Sequence, residues 1–144
     1  MITFDEARAR LIQIARPLES ERIPLEEAAG RICAAPVVAR TDAPSVALSA
    51  MDGYALRDQD LQNEGAALEV CGSSFAGDAP ALRTLGPGQC MRIFTGAPMP
   101  PGADTVFMQE DVRVEDDAVI VPAGLQFGAN CRLVGEDVRK GSPV

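Results

Sequence analysis

At 144 residues with a formal net charge of −8, the chain suits one ordinary domain or two small ones. That acidity makes nucleic acid an unsuitable partner, because phosphate neutralisation needs a clustered basic surface. Hydrophobic residues make up 47 %, enough for a packed core, but aromatics are only 4 % and Trp is absent, so Val, Ile, Leu, Ala and Met must build it.

Along the chain, no apolar run approaches the roughly 20 residues that cross a bilayer. The acidic opening Met1-Ile2-Thr3-Phe4-Asp5-Glu6 is unlike a secretory signal, so the sequence reads as cytoplasmic, with no membrane partner. Thr3 and Glu6 fit a capping box, and Ala7, Leu11, Ile14 and Ala15 recur at helical spacing before Pro17. A helix over residues 3 to 16 is predicted. Residues 18 to 40 read as a short strand around Ile23 and Leu25, a turn of helix at Glu26 to Ala29 capped by Gly30, and a second strand over Arg31 to Arg40 broken by Pro36. Asp42-Ala43-Pro44-Ser45 then marks a candidate domain boundary.

Beyond Met51-Asp52-Gly53 the pattern turns β. Leu68 to Cys71 alternates, Gly72 to Gly77 reads as loose, and Leu82 to Leu85 as a short strand. Gly86-Pro87-Gly88 is a turn that launches Cys90 to Phe94, and Thr105 to Met108 forms the next strand. Val112 to Val114 and Val119 to Val121 face each other across Glu115-Asp116-Asp117 as a hairpin with a solvated acidic tip. Short strands at this spacing suggest a small barrel or folded sheet rather than βαβ units. The fold class is therefore α+β, mostly β.

Histidine is absent, which removes Ser-His and Cys-His nucleophilic chemistry. Cys33, Cys71, Cys90 and Cys131 never form the close pairs that zinc requires, so they read as buried free thiols. Any catalysis must run through carboxylates, hydroxyls, backbone amides, Arg or Lys, or an oxygen-bound metal. Asp52-Gly53 is an ordinary turn recipe set in an apolar run. The Pro-rich loop Phe94 to Asp104 offers the Thr95 hydroxyl beside the Gly96 amide, either to bind an anion or as a stiff connection. The carboxylates Asp52, Asp104, Glu110, Asp111, Glu136 and Asp137 suit Mg2+ chemically, or else a solvated surface. Arg132 can fork onto a phosphate or carboxylate, or pair with Glu136; spacing does not decide.

Taken together, Ser49-Ala50-Met51-Asp52-Gly53-Tyr54-Ala55, Arg92-Ile93-Phe94-Thr95-Gly96-Ala97-Pro98-Met99-Pro100, Gly102-Ala103-Asp104 with Gln109-Glu110, and Asn130-x-Arg132-x-x-Gly135-Glu136-Asp137 resemble the MoeA-type molybdenum insertases. That family, molybdopterin molybdenumtransferase, is shared with the E region of gephyrin. One departure is Ala47-Leu48, where the family usually carries Asp-Asn.

The resemblance implies a protein that takes adenylylated molybdopterin and molybdate and releases AMP in a Mg2+-dependent step. It then inserts molybdenum at the dithiolene. Such proteins are elongated homodimers with the cleft between subunits, and other cofactor-synthesis proteins or molybdoenzymes are further expected partners. On this reading Asp52 and Thr95 are the catalytic residues, and Ser49, Gly53, Gly96 and Arg132 contact substrate. Asp52, Glu110, Glu136 and Asp137 are then the metal-ligand set.

Residues 1–44 would form the N-terminal helix and the first part of a small mixed α/β linking domain. Residues 45–127 would form a small β-barrel-like domain carrying the cleft motifs, and 128–144 the return segment of the linking domain. The family's pterin-binding and C-terminal domains are expected after residue 144, so the chain looks cut and should not complete the reaction alone. The competing expectation is a stand-alone, non-catalytic dimerisation or binding module.

Overall fold

A computed structural model describes residues 2–61, 65–116, 118–122, 124 and 126–144. By its internal contacts the chain falls into two units, Met1–Val37 and Val38–Val144. In the first, helix α1 (Phe4–Ile14) begins on the expected box. The Glu6 amide donates to the Thr3 hydroxyl at 3.2 Å, and the Thr3 amide to the Glu6 carboxylate at 2.9 Å. The helix stops at Ile14, two residues short of the expected end. Ala15 is already extended, two residues ahead of Pro17, which cannot continue a helix. None of its residues is buried, and Phe4, Leu11 and Ile14 stand open.

Further along this unit, the expected turn of helix appears as a 3-10 turn, Leu25–Glu27, followed by Gly30 at φ 77°. The two strands expected in residues 18 to 40 do not form among the described residues. Pro24 and Pro36 withhold ladder donors there, and Val38 makes only an isolated bridge to Pro143 within the second unit.

Among its described residues the second unit holds eight strands: β1 (Leu48–Ser49), β2 (Gly53–Leu56), β3 (Ala66–Ser74), β4 (Gln89–Ile93), β5 (Thr105–Met108), β6 (Arg113–Glu115), β7 (Ala118–Val121) and β8 (Cys131–Arg132). Six make the barrel-like sheet, left open, in the order β5-β2-β4-β3-β7-β6, and β1 pairs with β8 as a separate ribbon. The expected hairpin is present, with Val114 opposite Val119, but its first strand lies one residue later, so Glu115, expected in the tip, pairs with Ala118; Asp117 lies outside the described residues.

Two details depart from the sequence reading, and a third could not be read from it. Strand β3 runs into the stretch read as loose as far as Ser74, absorbing Gly72 in a register shift between Val70 and Ser73. It pairs in parallel with β4 despite the tight Gly86-Pro87-Gly88 turn between them. No strand forms over residues 82–85: Leu82 is fully exposed, and the Leu85 amide donates to the Pro101 carbonyl at 2.8 Å instead of to a ladder.

Two apolar clusters hold this sheet. Leu56, Leu68, Cys90, Phe107, Val119 and Val121 form one; Ala55, Ile93, Ala97 and Val106 form the other, joined by Met99, Ala103 and Cys131. Burying each Leu, Ile, Val or Phe among them contributes about 2 kcal/mol. The second cluster matters most for position, because it fastens the Pro-rich loop onto the sheet. All four cysteines are free, but Cys33 is exposed, against expectation. Burial pushes the Cys90 thiol up to about 12, and burial with the nearby Asp104 charge pushes Cys131 up to about 11. No helix among the described residues is long and apolar enough to cross a membrane.

Candidate functional site

The link between β1 and β2 is the stretch Ala50-Met51-Asp52, and the loop after β4 begins Phe94-Thr95-Gly96. Backbone bonds lash these together. The Ser49 amide donates to the Ala97 carbonyl at 2.9 Å, and the Gly96 amide to the Ser49 carbonyl at 2.9 Å. The Ser49 hydroxyl donates to the Met51 carbonyl at 2.6 Å, folding the chain so that Asp52 projects from the turn. Opposite it, Thr95 donates twice to Asp52 Oδ1, through its amide and its hydroxyl, each at 2.7 Å. These partners lie 43 residues apart in sequence.

The Thr95 amide, then its hydroxyl, hold the Asp52 carboxyl below the usual carboxylate range, with a smaller contribution from the Arg92 charge. Hydrogen bonds to the charged form favour it, and here they outweigh desolvation. The sign fixes a pH window. A depressed carboxyl pKa contributes stability that is present above the unfolded value of about 3.9 and is lost as pH falls through the folded value. The Thr95 amide resonance should therefore hold its position from neutral pH down through about pH 4 and move only below it. Movement already complete above pH 4 would show that the bond does not favour the carboxylate.

Several expected contributors take structural duties instead. Ser49 is 1 % exposed and both its backbone groups and its hydroxyl are engaged, so it shapes the turn rather than meeting a ligand. Gly53 is buried between strands, where an added Cβ would lie 1.8 Å from the Phe107 carbonyl oxygen. Gly96 sits at φ 81° with its amide engaged, and Thr95 faces Asp52 with both donors. In this arrangement the loop offers no open anion cradle and serves as the stiff connection, the other of its two readings. Asp104 accepts from the Asp58 amide at 2.7 Å and the Thr105 hydroxyl at 2.9 Å, serving as a brace.

The expected metal set is not brought together. Among the described residues no three acidic, His or Cys side chains are placed to hold a cation. Arg132 pairs with Glu136 at 3.2 Å and with Asp137, and both carboxylates keep its guanidinium firmly charged, Asp137 first. Glu136 also accepts from the Leu133 amide at 2.9 Å, which uses its second oxygen. The structural ion pair is therefore the arrangement Arg132 adopts. Glu110 is exposed and accepts from the Gln109 side chain at 3.1 Å.

Two residues at this site were not singled out from the sequence. Arg92, on β4, donates to the Gly53 carbonyl at 2.7 Å and to the Gln109 side chain. The Gln109 amide donates in turn to the Asp52 carbonyl at 3.1 Å. Both stand in the motifs that carry the family resemblance, Arg92 three residues ahead of Thr95 and Gln109 directly after β5, but the motifs attach no role to either.

Comparison with known proteins matches the same regions. The family profile described as the MoeA N-terminal region (domain I and II) covers residues 2–144. A molybdopterin molybdenumtransferase of Haemophilus influenzae is 42 % identical over 146 residues, spanning 100 % of this chain and 36 % of that protein. One from Nostoc is 48 % identical over 119 residues, spanning 80 % of this chain and 27 % of its own length. The crystal structure of a molybdopterin biosynthesis MoeA protein from Pyrococcus horikoshii superposes with a TM-score of 0.84 at 34 % identity, covering 100 % of this chain and 39 % of that one. The chain thus spans about a third of the length of the curated relatives it matches.

Proposed function

Because the chain belongs to the MoeA N-terminal region family, we propose that it is the N-terminal region of a molybdenum insertase acting in molybdenum cofactor biosynthesis. Its substrates in that reading are adenylylated molybdopterin and molybdate, with AMP released as molybdenum enters the dithiolene. The observation that carries the proposal is a match running from residue 2 to residue 144 in register with proteins of that name. The site supports it by drawing Asp52 and Thr95, from two of the motifs, into direct contact.

The geometry narrows what Asp52 does. One carboxylate oxygen is fixed by Thr95, and Oδ2 has no hydrogen-bond partner among the described residues. In this reading Asp52, held at Oδ1 and open at Oδ2, orients a water or a polar substrate group. Magnesium-dependent AMP release is proposed for the full-length protein only. Asp52, Glu110, Glu136 and Asp137 do not converge into a cation site among the described residues.

A homodimeric assembly belongs to the same proposal. Leu18 at 95 %, Leu25 at 86 % and Ile32 at 94 % exposure are large apolar side chains that favour cover by further protein. The test is reconstitution: full-length protein, given adenylylated molybdopterin and molybdate, should activate a cofactor-free molybdoenzyme and show a dimer mass by light scattering. No activation above a protein-free control overturns the function, and a monomer mass overturns the assembly.

A further inference from the structure

We propose that Arg92 is a positioning residue that holds the Asp52–Thr95 pair together from behind. The geometry carries this from both sides of the pair. Gly53, whose carbonyl accepts from Arg92 at 2.7 Å, directly follows Asp52. Phe94, whose ring lies 4.5 Å from the guanidinium carbon, directly precedes Thr95. One guanidinium thus touches the chain immediately beside each member of the pair. A third tie runs through Gln109, which accepts from Arg92 with its side chain and donates its amide to the Asp52 carbonyl at 3.1 Å.

Arg92 is itself caged. Its guanidinium carbon lies 5.2 Å from the centroid of Tyr54, its cross-strand partner on β2. Tyr54 and Phe94 therefore both present their rings to the cation, and Phe75 stacks on Phe94 with centroids 4.7 Å apart and planes 12° from parallel. The ladder Phe75, Phe94, Arg92, Tyr54 restricts the guanidinium, and a planar fork confined in this way fixes direction as well as charge. A lysine retains the charge but cannot reproduce the fork. Small displacements of reacting groups can lower rates by as much as about 100-fold, so a clamp of this kind bears on turnover without touching substrate.

This inference rests on the proposed function for its kinetic readout but not for its structural one. In Arg92→Met, hydrogen exchange of the Thr95 amide should accelerate at least about tenfold, while the amides of Ala55 and Val106 in the sheet stay protected. In the full-length protein the same change should lower kcat roughly 10- to 100-fold with KM little altered, and Arg92→Lys should recover part of it. Gln109→Ala, at an exposed side chain, provides a variant that keeps the fold and should show a smaller acceleration of the same amide. Unchanged Thr95 exchange in both Arg92→Met and Gln109→Ala overturns the proposal. So does a lysine variant indistinguishable from wild type in both exchange and kcat. Altered exchange with no insertion activity even in the wild type would overturn the function instead.

Discussion

Replacing Asp52 by Asn in the full-length protein should lower molybdenum insertion by about 100-fold while leaving the fold intact, in line with losses seen when one preorganised polar group is removed from a site. Asparagine keeps an oxygen where Oδ1 accepts from the Thr95 amide and hydroxyl, so the turn has no reason to open. What disappears is the negative charge and, at Oδ2, an acceptor, which an amide nitrogen replaces with a donor. Thr95→Ala should give a smaller loss, because it deletes one of two donors and leaves the backbone one. The measurement is turnover in the reconstituted reaction, alongside thermal melting of each variant. Near-wild-type turnover in Asp52→Asn would remove Asp52 from the chemistry. Lost turnover together with lost melting would relocate its role to folding.

Gly53→Ala should destabilise the second unit by about 3 kcal/mol or more, a size reserved for overpacking that side chains cannot relieve. The added methyl would meet the Phe107 carbonyl oxygen at 1.8 Å and its carbon at 2.8 Å, and both are backbone atoms of the neighbouring strand. Gly53 pairs with Ile93 on β4 and Met108 on β5, so neither neighbour can withdraw without breaking a ladder. A urea titration should show the midpoint fall sharply with little change in slope. An unaltered midpoint would mean that β2 and β5 do not approach as closely as described. The contrast with Asp52→Asn is useful: adjacent residues, one change expected to remove chemistry and the other to remove structure.

Local signals made much of this fold legible. The Thr3–Glu6 box, the strand at Thr105 to Met108 and the Val114–Val119 hairpin follow from spacing and turn chemistry, and they form where expected. Pairings between distant segments were not legible. Nothing near Leu48 announces that it will lie opposite Arg132, and the parallel course of β3 and β4 is hidden behind a turn that usually reverses a chain. At the site, motifs located Asp52 and Thr95, because reactive residue types stand out in an apolar setting. They could not show that Thr95 would direct both donors at Asp52, nor that Arg132 would draw Glu136 and Asp137 into ion pairs. Arg92 stands in a motif but without a role, since an arginine on a strand carries no sign of the groups it will meet. Its meaning depends on rings supplied by Tyr54 and Phe94.

The chain running up to β1 and the chain leaving β8 travel side by side in opposite directions. Ala39 bonds with Ser142 and Gly141, Ala43 with Val138 and Asp137, and Leu48 lies across from Arg132. The six-stranded sheet is therefore carried like a bead on a two-stranded stem, entered and left at one spot. Asp52, Thr95 and Arg92 all belong to the bead. Ser49, at the tip of that stem, bonds to Gly96 and Ala97, so a shift of the stem would be passed directly to the loop that carries Thr95.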